Sequence, residues 1–459
     1  MADEILQEDA GDGVGLSERL VERVEAALEA GDHNQIEDLL ADQHPADVAD
    51  VIEQIHPDLR GLLLDVIGPT LDPEVLAYVE SPRRDEVAAR LGPLEVAGML
   101  KRLDSDDALE IFEDLSEELR TQILARVPVT IRKILQEGLD YPEDSAGRLM
   151  QREVVVVPAI WTVGETIDYM REHRKQMKSD FYDLYVVDPR YRPIGKLPLS
   201  RVLRNKRPVR IVDLMDEDVR PVALATDQEE VALLFKQYSL LSAPVVDAAG
   251  RLVGVITVDD VIHVVEEEAE DDLLKMRGLD DTDLAEGPLL TVKRRIRWLL
   301  VTLVNTIIAS FVISRFEGTL EQLVAVAVLM PIVAAMGGNA GMQVVTVTVR
   351  ALATRSVTSR NTLRLVGREL LVGLINGVCL ATIMGSLAAL WFGLPSLALV
   401  LVAAMIFNMV WAGLAGTLIP LTLDRFGFDP AVAAGPFLTT TTDVLGFFVF
   451  LGLATIFLL

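Results

Sequence analysis

Residues 430–459 read PAVAAGPFLTTTTDVLGFFVFLGLATIFLL, a run with a single charge, Asp443. A helix that crosses a bilayer needs about 20 mostly apolar residues. This run is long enough to span, with one carboxylate about halfway along it. Upstream, uncharged runs cover 298–314, 323–349 and 370–423. The last is too long for one crossing, and Gly393-Leu394-Pro395 divides it, because Gly and Pro together favour a turn. Five spans result, in a C-terminal unit taken as 291–459. Burial in a soluble core could account for one such run but hardly for five in succession.

Basic residues orient the spans. Lys293, Arg294, Arg295 and Arg297 precede the first, and Arg350, Arg355, Arg360, Arg364 and Arg368 lie between the second and third. Both clusters belong on the cytoplasmic side by the positive-inside rule. The N-terminus is therefore expected in the cytoplasm and the C-terminus outside a plasma or inner membrane. The start, Met1-Ala2-Asp3-Glu4-Ile5-Leu6, lacks the apolar core of a secretory signal, in keeping with this.

A carboxylate at the depth of Asp443 is costly unless it faces water, a partner or an ion. Thr439, Thr440, Thr441 and Thr442 add hydroxyl oxygens beside it, and Gly435-Pro436 is expected to interrupt the helix one or two turns earlier. Two roles fit: a cation site lining a pore, or a hydrogen-bonded carboxyl joining helices. Intramembrane acids are functional by default, which favours the first. Span two carries Pro331, then Gly337-Gly338-Asn339-Ala340-Gly341 and Gln343. This reads as a polar break near the midplane, of the kind tolerated where backbone faces a water-filled cavity; close helix packing at the glycines is the other reading. Asn339 is expected in the pore beside Asp443. Such an all-oxygen set suits hard cations, and magnesium, which dehydrates reluctantly, fits a site with one carboxylate per chain. A symmetric dimer would double that charge.

The formal net charge of -27 is unevenly placed. Residues 1–290 hold 31 basic and 63 acidic side chains, against 11 and 6 in the remainder. An acidic surface of this kind argues against nucleic acid as a partner. The single cysteine, Cys379, excludes a disulfide framework and suggests no zinc cluster. There is no G-x-x-x-x-G-K-[ST] loop, so an ATP-driven pump is not expected, nor any enzyme activity.

The acidic part contains a repeat. Leu149-Met150 followed by Val154–Val157 recurs as Leu214-Met215 followed by Val219. Tyr185-Val186-Val187-Asp188 and Ile194-Gly195 recur as Pro244-Val245-Val246-Asp247 and Val253-Gly254. Each copy reads strand, helix, strand, strand, helix. The pair resembles tandem CBS (cystathionine-β-synthase) domains, here 139–207 and 208–262, which commonly bind adenine nucleotides or cations. Residues 16–138, with apolar residues such as Val51, Ile52, Ile55 and Leu59 at helical spacing, predict an all-α superhelical domain behind a disordered tail at 1–15. Residues 263–290 predict an acidic connecting helix. Its like charges about 6 Å apart would repel by roughly 3 kcal/mol at an effective dielectric near 20. Either it is a solvated acidic helix or divalent cations bridge it to its neighbours.

This order of parts resembles the MgtE family of magnesium channels. The stretch from Tyr141 to Met150 is similar to that family's entry to the first CBS copy. Residues 331–343 resemble its second-span motif, and Asp429-Pro430, Gly435-Pro436 and Thr441-Thr442-Asp443-Val444 its fifth. The resemblance implies a homodimer in lipid, a pore on the two-fold axis lined by spans two and five, and hydrated magnesium held by Asp443. It also implies closure by cytosolic magnesium. The sensor acids would be Asp260, Glu268, Asp271 and Asp272 on the connecting, or plug, helix, with Asp429, Asp106 and Asp107. ATP at the CBS pair is a further implied ligand. Where the family often has aspartates, this chain has Ser239 and His263; if these positions face each other, the resemblance implies the loss of one regulatory site, so that the channel needs more magnesium to close or closes less completely. The competing readings are a proton- or sodium-coupled carrier of another divalent cation, with Asp443 as its proton site, and a non-transporting membrane sensor.

Overall fold

The computed structural model describes residues 18–174, 177, 181–276, 288–356 and 361–459. The side chains of Glu18, Asp272, Pro288, Leu290 and Arg294 lie outside that set, as do the expected tail at 1–15, residues 277–287 of the expected plug segment and Arg360. The chain forms two compact units, Met1–Glu266 and Glu267–Leu459.

The first unit opens with short helices. Pro45–Gln54, Pro57–Ile67, Pro73–Tyr78 and Pro93–Leu100 each begin on a proline, whose fixed φ suits the first helical position and whose missing N–H costs nothing there. His44, His56 and Asp72 cap the first three of these by accepting backbone N–H groups. Their apolar faces meet in one core that includes Val51, Ile52, Ile55, Leu63, Leu76, Leu100 and Phe112. Two buried arginines tie successive layers. Arg60 donates to the Ile52 and Glu53 carbonyls and pairs with Glu86. Arg84 donates to the Val79 and Ala77 carbonyls and pairs with Glu110 and Asp114. The superhelical repeat, faint in apolar spacing, is carried by these charged ties.

Two three-stranded sheets follow. In the first, β1 (Val156–Pro158) runs parallel to β2 (Asp183–Val187), which is antiparallel to β3 (Pro193–Pro198). In the second, β4 (Val222–Ala223), β5 (Ser242–Val246) and β6 (Leu252–Thr257) repeat the pattern. Each copy is completed by the other. Gln151, ahead of the first strand of the first copy, bridges to Val255 of β6, while Asp216, ahead of the first strand of the second, bridges to Lys196 of β3. At both places a glycine makes room: a Cβ on Gly254 would meet the Met150 sulfur at 2.6 Å, and one on Gly195 would meet that of Met215 at 2.6 Å. The Leu-Met and apolar-Gly repeats in the sequence are the two sides of these contacts. Tyr185 and Ser242 also join the copies through a 2.7 Å hydroxyl contact, and Ser242 donates to buried Asp183.

The helix after β6 runs from Val258 to Lys275, so the last helix of the second copy and the start of the plug segment are one element. The division between the two units falls within it.

The second unit contains five helices long and apolar enough to cross a membrane: Pro288–Ser314, Val324–Ala353, Thr362–Phe392, Pro395–Arg425 and Pro430–Leu458. Gly393 ends the third with φ +63°, a conformation that favours glycine, and Pro395 starts the fourth. Small residues set the packing of spans three and four. A Cβ on Gly373 would meet the Met409 carbonyl at 2.7 Å, and one on Gly413 that of Glu369 at 2.8 Å. Two expectations are corrected here. Span two is helical straight through Pro331 and the 337–341 glycines, and span five straight through Gly435-Pro436. A proline deletes only one i→i−4 bond, leaving the Ala327 and Val432 carbonyls without that donor, and packed neighbours hold the rest of the helix in register.

Candidate ion-conducting site and its acidic sensors

Span five buries Ala431, Ala434, Gly435, Leu438, Thr442, Gly446 and Phe450, which fall on one helical face. Asp443 and Thr439 continue at four-residue steps from Gly435 along the edge of that face; within one chain Thr439 is exposed and Asp443 partly exposed. Among the described residues Asp443 makes no hydrogen bond or ion pair. The four threonines beside it use their hydroxyl hydrogens on their own helix. Thr439 donates to the Gly435 carbonyl, Thr440 to Pro436, and Thr441 and Thr442 to Leu438. Their lone pairs are left to face whatever comes near. The Pro436 carbonyl takes a second donor, Asn305 of span one, at 3.2 Å.

Span two turns Pro331, Ala335, Asn339 and Gln343 outward at four-residue steps, while Gly337, Gly341 and Val345 are buried. Gly341 lies so close to span five that a Cβ would meet Leu438 at 2.8 Å. The two helices thus pack through small residues, and each leaves an oxygen-bearing stripe outside that contact. Asn339 is exposed on the outward stripe of span two.

Sequence reasoning missed Asn408 of span four. It is buried and donates to the Val333 carbonyl at 2.9 Å, while its Oδ1 is buried without a donor. A hydrogen bond of this kind within a membrane averages about 0.6 kcal/mol. Leaving a buried acceptor unsatisfied costs about 1–3 kcal/mol. The signal available in the sequence was an amide amid apolar residues, which by itself does not tell a tolerated polar residue from a placed one. It also missed Glu369 at the start of span three. This mostly buried carboxylate lines a cavity of about 240 Å³ with Gln343, Arg368 and Asn376.

The sensor candidates fall in both units. In the first, Asp106 and Asp107 sit in the first turn of Ser105–Asp114 and Asp260 in the first turn of Val258–Lys275. Helix N-termini favour anions, yet burial pushes Asp106 well above the usual carboxylate range, helped by the charges of Asp260 and Asp107. Burial, then Asp260, raises Asp107 to about 7. Burial raises Asp260 to about 7 as well, against a hydrogen bond from Thr257. Three acids close enough to disturb one another are short of positive charge. Among the described residues, however, no three acid, His or Cys side chains already converge as a metal cage.

In the second unit the plug helix ends beside span five. Lys275 pairs with Asp271 on its own helix and reaches Asp429 at 3.6 Å. Partial burial works against its charge, but Asp271 and Asp429 hold its ammonium above the usual lysine range. Asp429 also caps span five, accepting from the Ala431 N–H at 2.7 Å. Glu268 lies on the same helix, and the Asp272 side chain lies outside the described residues. Ser239 takes a left-handed C-cap, φ +50°, and both it and His263 are exposed.

Known proteins match this arrangement part by part. Residues 330–453 match the family described as MgtE, divalent cation transporter; residues 43–144 match the MgtE intracellular N domain, and residues 211–267 a CBS domain. The magnesium transporter MgtE of Thermus thermophilus is 31% identical over 453 residues, covering 96% of this chain and 99% of the relative. The chain belongs to the MgtE family. The magnesium transporter MgtE of Bacillus subtilis is 29% identical, over 96% of this chain and 98% of its own. A crystal structure of the cytosolic domain of the Mg2+ channel MgtE in complex with ATP overlays with a TM-score of 0.50 at 30% identity, covering 53% of this chain and 99% of that one. The CBS match falls on the second copy, the one whose sequence is the clearer; the first is recognisable in the fold through its matching strand order.

Proposed function

We propose that this MgtE family member is a magnesium-selective channel for uptake, working as a homodimer whose path is lined by spans two and five and closed by cytosolic magnesium. The observation that carries the reading is Asp443. It is a lone carboxylate in a membrane span, without a protein partner among the described residues, on a face shared with Thr439. Oxygen ligands and a single charge per chain suit an ion that keeps its water shell, and two protomers would supply two carboxylates. Pro331, Asn339 and Gly435 belong to the same path: Pro331 and Asn339 on the outward stripe of span two, Gly435 just before the proline of span five. Hydroxyls whose hydrogens are already committed accept hydrogen bonds from the ion's water. The magnesium transport of the relatives across nearly their whole length supports the same substrate.

Regulatory magnesium would bind where acids gather: at Asp106, Asp107 and Asp260 in the first unit, and at Glu268, Asp271, Asp272 and Asp429 in the second, where it would compete with Lys275 for Asp271 and Asp429. ATP at the CBS pair is proposed because a related cytosolic domain was solved with it. The deciding experiment is magnesium flux into liposomes driven by voltage alone, titrated against magnesium on the sensor side. Asp443→Asn should lower flux at least roughly hundredfold, the order expected when an ion loses a contact worth about 3 kcal/mol. Wild-type flux in that variant, or flux only with proton or sodium movement, would remove the channel reading. The same titration tests whether Ser239 and His263 raise the magnesium needed for closure.

A further inference from the structure

Asn408 stands at a three-way joint. Its amide lies between Gly337 of span two and Gly446 of span five: a Cβ on Gly337 would come within 2.2 Å of Nδ2, and one on Gly446 within 2.8 Å. Nδ2 donates to the Val333 carbonyl of span two at 2.9 Å. The opposite amide orientation would set Oδ1 against that carbonyl, so the assignment follows from charge. Gly337 is two residues from Asn339, and Gly446 three residues from Asp443. The same side chain therefore touches both helices that carry the proposed path, each within one turn of its polar residue.

We propose that Asn408 is a positioning residue for ion passage: its amide, seated in the Gly337 and Gly446 notches, sets the relative height of Asn339 and Asp443. Simple stabilisation is a poor account of it. Among the described residues, the bond from Asn408 to Val333 comes with a buried oxygen that makes none, and an apolar side chain of similar volume would fill the space without that penalty. What the amide adds over leucine is a fixed register, because a hydrogen bond to one carbonyl has a direction and dispersion contacts do not. Two glycines in register with it complete a lock that holds both helices at once. A hydrated ion bridging groups on two helices is sensitive to their relative height, and a displacement of about 1 Å is enough to misplace a functional group.

This inference rests on spans two and five lining the path, and Asp443→Asn in the same assay keeps the two apart. Asn408→Leu and Asn408→Ala in the full-length chain are measured for melting temperature, magnesium flux in liposomes and the magnesium-to-calcium flux ratio. The expected result is a folded protein whose magnesium flux falls roughly 5- to 50-fold and whose flux ratio drops, since fold alone would not move selectivity. Folded variants with wild-type flux and ratio, beside a silent Asp443→Asn, would overturn the positioning role and leave the path intact. A conducting Asp443→Asn would instead overturn the path. Failure of both Asn408 variants to fold would also overturn the inference, because the amide would then be needed for the fold itself.

Discussion

Asp106, Asp107 and Asp260 bind protons more tightly folded than unfolded, because burial and mutual repulsion raise them. The sign follows. Stability from this cluster is full below the ordinary aspartate value of 3.8 and is lost as pH rises through about 7. A divalent cation at the cluster would cancel the loss by pairing with the ionised forms. In chelator, the protein should melt a few degrees lower at pH 8 than at pH 6, with saturating magnesium closing that gap and Asp107→Asn shrinking it. A melting temperature independent of pH, with or without magnesium, would show that the cluster is not strained by charge. At this scale the sequence was uneven. Asp443 stands out in the sequence as a single charge in an apolar run. Asn408 does not, because its meaning lies in two glycines on other helices, and only packing brings Gly337 and Gly446 to it.

Elements were read more easily than their continuity. The five spans follow from length and hydropathy, and Gly393-Leu394-Pro395 parts the third from the fourth where expected. The breaks expected at Pro331 and at Gly435-Pro436 are absent because each proline removes only one helical bond, that to the Ala327 or Val432 carbonyl, and the helix continues on either side. The plug helix shows the reverse error. Acid content puts Asp260 on it although the boundary is drawn at 263; the helix starts at Val258, just after Thr257, which donates to Asp260. Its far end makes its own prediction. Lys275 holds Asp271 and Asp429 together, a partly exposed pair of the kind worth about 0.2–1 kcal/mol. Lys275→Gln should raise hydrogen exchange in 268–276 about 2- to 5-fold in magnesium-free buffer, and Lys275→Arg should restore protection. Equal exchange in all three proteins would mean that the lysine holds nothing there.

For the whole chain, charge segregation was the first clue and the broadest. Acid gathers before residue 290 and a basic excess after it, which separated an acidic part from an apolar part before any element was assigned. Orientation is the prediction at this scale. A tag after Leu459 should be reached by a membrane-impermeant reagent from outside intact cells and one before Met1 only after permeabilisation; the reverse pattern would overturn the reading of the arginine clusters. The proposed dimer has no such mark in the sequence, since the apolar exterior of a span looks the same whether it faces lipid or a second copy.

The exchange of edges in the CBS pair has a consequence for how such a chain changes over time. The Met150 segment bridges to β6 and the Met215 segment leads into a bridge to β3, so each three-stranded sheet has one edge met by a segment from outside its own strands. A deletion that removed one copy would uncover that edge of the survivor. The pair is therefore inherited, transplanted or discarded as one piece. Drift in one copy is then limited by the fit it must keep with its twin, even after one of them has ceased to look like its relatives.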